Sequence, residues 1–160
     1  MNHQRRPAFV LATVMTVAIV AGCGQGAARP VAYGTARSSR QAAVPVLGQR
    51  GIFDYNSRGF GEVRPATVFN GGDPTGLVMH ITWSSWGGST AIGAGDSDYV
   101  GPNQSVATGT QEKVRIVAFD LGTCRGKLMY RAVEWYFPQH SQNFNPSQYE
   151  DICTGNYVGE

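Results

Sequence analysis

The chain has 160 residues, with 13 Lys and Arg against 11 Asp and Glu and a formal charge of +2 at pH 7. A chain this long supports one modest domain, and so slight an excess of base argues against a nucleic-acid binder. Its three cysteines, at positions 23, 124 and 153, are too few for a disulfide-rich scaffold. With only His80 and His140 to assist the last two, they form no zinc spacing.

Residues 1–22 read as a lipoprotein signal peptide. Arg5 and Arg6 begin it, an uncharged and largely apolar run follows from Ala8 to Val20, and Val20-Ala21-Gly22-Cys23 closes it. Basic start, apolar middle and small residues at the cut are the order of an export signal. The final quartet resembles the lipobox of bacterial lipoproteins, which implies that Cys23 is acylated and becomes the first residue of the mature chain. A helix of the run's length reaches only ~20 Å against a hydrocarbon core of ~30 Å, so a retained membrane span is the poorer reading. The expected location is the extracytoplasmic face of the cell membrane.

From Cys23 to Arg50 the chain is rich in Gly, Ala, Ser, Gln and Arg and shows no sustained apolar period, which predicts a flexible tether. Roughly 27 such residues have a root-mean-square span of ~30 Å. Arg29, Arg37, Arg40 and Arg50 make the tether basic, whereas residues 51–160 carry all eleven acids against seven bases. The tether is therefore suited to anionic lipid and the domain is repelled by it.

Residues 51–160 read as an all-β domain, a small antiparallel sandwich or partly open barrel. Ala66–Phe69 reads as a strand ending at the turn cluster Asn70-Gly71-Gly72-Asp73-Pro74. In residues 77–83, Leu77, Met79, Ile81 and Trp83 alternate with Val78, His80 and Thr82, which predicts an apolar face made by the first four. Val114–Phe119 and Leu128–Phe137 flank a hairpin end at Asp120–Gly126. The second of these strands is apolar on both faces and is expected to be central, with Trp135 in the core. Once the lipid takes Cys23, Cys124 and Cys153 remain to form a disulfide in an oxidising compartment. That bond would staple the polar segment 138–160.

Trp83-Ser84-Ser85-Trp86-Gly87 followed by Ala91-Ile92-Gly93-Ala94-Gly95, with a later long hairpin ending near Trp135, resembles a domain that recurs in exported actinobacterial proteins. The resemblance covers residues 62–137. Relatives often carry extra cysteines near the second motif, where this chain has Ser97, Asp98 and Tyr99. It implies export and a β fold and no particular activity.

Chemistry is sparse. Gly93-Ala94-Gly95 lacks the third glycine and the following helix of a dinucleotide loop. Asp96-Ser97-Asp98 with Asn103 offers oxygen ligands on an expected loop but lacks the glycine and terminal glutamate of a calcium site. His80 and Ser84 would stand ~13 Å apart on a continuous strand, too far for a nucleophile and its base. No catalytic set, cofactor or metal site is expected. The expected role is non-enzymatic binding or scaffolding between membrane and wall, with cell-wall glycan or another envelope protein as partner. Under a glycan-binding alternative, Trp86 beside Gly87 is an exposed sugar platform and Tyr99 a second contact. Under a hydrolase alternative, Glu134 works with a second carboxylate.

Overall fold

The computed structural model describes residues 42–159. The expected signal peptide, the expected lipobox with Cys23 and residues 23–41 of the expected tether lie outside them. Eight strands form one curled, mostly antiparallel sheet, a half-barrel. They are β1 (Val46–Leu47), β2 (Val68–Phe69), β3 (Leu77–Trp83), β4 (Ala91–Tyr99), β5 (Thr110–Cys124), β6 (Lys127–Tyr136), β7 (Tyr149–Asp151) and β8 (Asn156–Val158). Strands β2 to β8 are neighbours in chain order, and β1 joins β6 in parallel. Among the described residues the only helical pieces are three-residue 3-10 turns, and no helix is long and apolar enough to cross a membrane.

The domain starts earlier than the composition suggested. Val46 and Leu47, assigned above to the tether, are 7% and 0% exposed and pair with Met129 and Tyr130. They belong to the short stretch Val44-Pro45-Val46-Leu47, too brief to register as a period.

The expected apolar face of β3 is corrected. Val78 and Ile81 are buried, whereas Leu77 and Met79 are only half-buried. His80 takes a left-handed φ of 52°, and the β3–β4 register shifts by one residue between Met79 and Thr82. A bulge of this kind reverses the alternation that follows it. Ala91–Tyr99 is also a strand rather than the loop expected around Asp96. Its glycines lie under the bulge, where side chains would collide. A Cβ at Gly93 would lie 3.1 Å from the Trp83 ring and from Ile116 Cγ2.

β5 and β6 form the long hairpin that carries the sheet. Its turn is tighter than expected, only Arg125-Gly126, both at positive φ as a two-residue hairpin turn requires. β6 is central, and both of its faces are covered in the middle: Met129 and Tyr130, then Ala132 and Val133, are all buried. The core gathers Leu47, Val78, Ile116, Tyr130, Val133 and Ile152. Cys124, which ends β5, is bonded to Cys153 in the β7–β8 turn. The bond ties the C-terminal hairpin to the long one.

Candidate functional site

The two tryptophans of the W-x-x-W-G motif are structural. The Trp83 indole N–H donates to the Pro65 carbonyl and the Trp86 indole N–H to the Pro45 carbonyl, each at 2.9 Å. The rings meet edge to face with centroids 4.7 Å apart, and Trp86 meets Tyr130 in the same way at 5.2 Å. The fully buried Tyr130 hydroxyl accepts from the Gly87 N–H at 2.8 Å and donates to the Gly88 carbonyl at 3.0 Å. Trp86 is thus half-buried like Trp83, not the open platform expected. Aromatic edges and indole N–H groups pin the segments before β1 and β2 to the sheet.

The surface feature with the shape of a ligand site is a groove around Trp135. A cleft of about 500 Å³ is lined by Glu134, Trp135, Tyr149, Glu150 and Tyr157, with Gln142, Asn143 and Gln148 among its polar groups. A second depression, about 480 Å³, shares Trp135 and Gln142 and runs to Asp98, Tyr99 and Val106. Trp135 therefore borders both depressions, and it lies at the margin of the core rather than fully inside it. Its indole N–H reaches the Thr75 carbonyl at 3.3 Å, and the ring is half-buried against the core.

Tyr99 stands at the far end. It stacks on His140 with centroids 3.5 Å apart and meets Phe137 edge to face. His140 Nε2 lies 2.8 Å from Glu112, and the Gln139 side chain donates to the same carboxylate at 2.9 Å. These bonds, that of Gln139 first, hold the Glu112 carboxyl below its ordinary range.

The cleft exists because β7 stops pairing early. β6 continues to Tyr136, but β7 matches it only at Ala132 and Val133. The segment between, residues 137–148, is rich in Asn, Gln and Ser. It closes on itself through Asn145, whose side chain accepts from the Ser147 N–H and donates to Gln148. The sequence signal for this site is the density of amides and tyrosines immediately after a two-faced apolar strand. Only the fold shows which edge they enclose.

Two carboxylates line the cleft. Burial pushes both Glu134 and Glu150 up from the ordinary glutamate range, against hydrogen bonds that lower them. Both Glu134 oxygens accept from the Asn145 N–H, at 3.1 and 2.9 Å, and Glu150 accepts from the Asn70 amide at 3.3 Å. Val133 pairs with Glu150, so Glu150 shares its face, while Glu134, one residue on, leaves from the opposite face. No Lys, Arg or His lines either half of the groove.

The other candidates are occupied structurally. Asp96 pairs with Lys113 at 2.6 Å and His80 at 3.1 Å, and these contacts lower its carboxyl, Lys113 first. Ser97 is buried and donates to the Leu77 carbonyl at 2.6 Å. Ser84 donates to the Ile92 carbonyl, away from His80. Among the described residues no group of three or more His, Cys, Asp or Glu could hold a metal ion. Asn103 lies in the turn after β4, not beside Asp96 on the strand.

No family model, curated protein or solved structure matches the chain.

Proposed function

We propose that this chain is a lipid-anchored cell-envelope protein whose β domain binds cell-wall glycan, without cleaving it, in the groove around Trp135. The lipobox at Val20–Cys23 and the basic tether support the anchor. What carries the binding reading is the groove itself. Trp135 borders both depressions, Tyr157 lines one and Tyr99 the other, and planar amides line their walls. Aromatic faces with a few oriented polar groups suit a saccharide, which offers both C–H faces and hydroxyls. The absence of basic groups from the lining favours a neutral ligand over an anionic one. Both Glu134 oxygens are engaged by the Asn145 N–H and Glu150 by the Asn70 amide, which supports binding over hydrolysis.

Tyr157 is 51% exposed on the edge strand β8, so its ring can be removed with little cost to the fold. Tyr157→Ala in the full chain should weaken cosedimentation with purified cell wall by about 5- to 10-fold, the worth of roughly 1 kcal/mol of aromatic contact. Tyr55→Ala, at a 93% exposed site outside the groove, should not. Equal binding by the two variants removes the groove from the account. Cys23→Ser should shift the chain from the detergent phase to the aqueous phase, and partitioning like the wild type overturns the anchor.

A further inference from the structure

One residue in the cleft turns its backbone N–H and C=O into an unpaired gap of the ladder. β6 and β7 pair at Ala132↔Asp151 and Val133↔Glu150, and the Ile152 N–H donates to the Arg131 carbonyl at 2.8 Å. In an antiparallel ladder this turns the Arg131 C=O, and both the N–H and C=O of residues 133 and 135, toward β7. The register assigns Gln148 as the partner of Trp135, but the Gln148 N–H donates instead to the Asn145 carbonyl at 3.0 Å. The next outward N–H along β6, that of Phe137, is taken by Gln142 Oε1 at 2.9 Å. Trp135 is left with its N–H and C=O side by side toward this gap, where neither β7 nor residues 137–148 bond to them.

We propose that the Trp135 backbone N–H and C=O read two adjacent hydrogen-bonding groups on a pyranose ring, the C2 and C3 substituents of a 1,4-linked glycan. This rests on the glycan reading above and narrows it to a linkage class. The ring holds its neighbouring equatorial groups side by side, as an extended residue holds its N–H and C=O. The C3 oxygen accepts from the Trp135 N–H, and the C2 group donates to the Trp135 C=O. Either a C2 hydroxyl or a C2 acetamido N–H can make that donation, so both glucan and N-acetylhexosamine chains carry the chemistry. A ring seated at the edge of β6 lies between aromatic groups on both faces of the sheet. The register puts Tyr157 with Glu150 and Trp135 on one face, and Tyr149 with Glu134 on the other. In a 1,3-linked chain the C3 oxygen of each interior ring carries the next sugar, which crowds it and makes it a weaker acceptor for the Trp135 N–H.

The test is amide hydrogen exchange resolved at Trp135 in the full chain in detergent, alongside affinities for cellotetraose, tetra-N-acetylchitotetraose and laminaritetraose. The 1,4-linked probes should slow exchange at the Trp135 amide and bind about 10-fold tighter than the 1,3-linked one, from the weakened hydrogen bond at C3. Cellotetraose and chitotetraose together separate the hydroxyl from the acetamido source. Binding that leaves Trp135 exchange unchanged, or that is equal for both linkages, overturns this contact and leaves the glycan reading standing. Failure of all three to bind, with intact wall also unbound, overturns the glycan reading itself. Protection of Trp135 by a short alanine peptide but by no saccharide makes the occupant an added strand and overturns the proposal.

Discussion

Gly95 lies directly beneath the bulge at His80: a Cβ there would stand 2.5 Å from the Met79 carbonyl oxygen and 3.0 Å from Val78 Cγ1. The obstacle is backbone, which cannot rotate away. Gly95→Ala should therefore destabilise the domain by about 2–3 kcal/mol, as overpacking does. Gly88→Ala is the control, since its Cβ would meet nothing nearer than the Thr90 carbonyl at 3.7 Å. It should be neutral or slightly stabilising. Denaturant midpoints measure both, and an equal loss from the two would show that the bulge does not constrain residue 95.

The same bulge marks the limit of periodicity. Leu77 to Trp83 alternates cleanly as written, yet one left-handed residue exchanges which side chains reach the core. Nothing local in Met79-His80-Ile81 announces it; the paired glycines of β4, far along the chain, make room for it. The all-β class, the long hairpin and the pairing of Cys124 with Cys153 were legible because turn residues, apolar runs and cysteine number are local or countable. The groove was not. It arises where Gln148 leaves the ladder beside Trp135, and an apolar strand alone does not show which of its edges loses a partner.

Trp86 and Trp83 should now behave alike. Each is half-buried, each donates an indole bond at 2.9 Å, and the two rings touch. Trp86→Ala and Trp83→Ala should each cost about 2–4 kcal/mol, the lower part of the range for large aromatic truncations. Trp86→Phe keeps the ring contacts and loses only the bond to Pro45, for about 1 kcal/mol. Thermal unfolding of the three variants checks this. A Trp86→Ala variant as stable as wild type would return the ring to the surface.

Glu150 makes a prediction about pH. Its carboxyl is raised in the folded state by burial, so between the ordinary glutamate value and the folded value the native state holds a proton that the unfolded state has released. Stability then falls as pH rises through that window. The cost is absent below about pH 4 and complete above the folded value. Glu150→Gln keeps an oxygen for the Asn70 amide and removes the charge. It should raise the melting temperature at pH 7 and match wild type at pH 4. A variant less stable than wild type at pH 7 would mean that the Asn70 bond outweighs burial.

The disulfide should matter to the groove as well as to the fold. Cys124 and Cys153 are separated by 29 positions, and closing a loop of that size is worth about 3–4 kcal/mol in the chain-entropy model. For a domain of roughly 100 residues, losing about 3 kcal/mol lowers the melting temperature by something over 10 °C. The hairpin of β7 and β8 pairs with β6 only at Ala132 and Val133, yet it supplies Tyr149, Glu150 and Tyr157 to the cleft. With the bond removed, that short pairing is the part of the sheet most exposed to local opening. Cys124→Ala with Cys153→Ala should therefore lose wall binding at temperatures where circular dichroism still reports the sheet. The Trp135 environment should change with it, read from indole fluorescence against a Trp83→Phe, Trp86→Phe background. If binding and global unfolding are lost together at one temperature, the hairpin is not a separate unit and the bond acts on the domain as a whole.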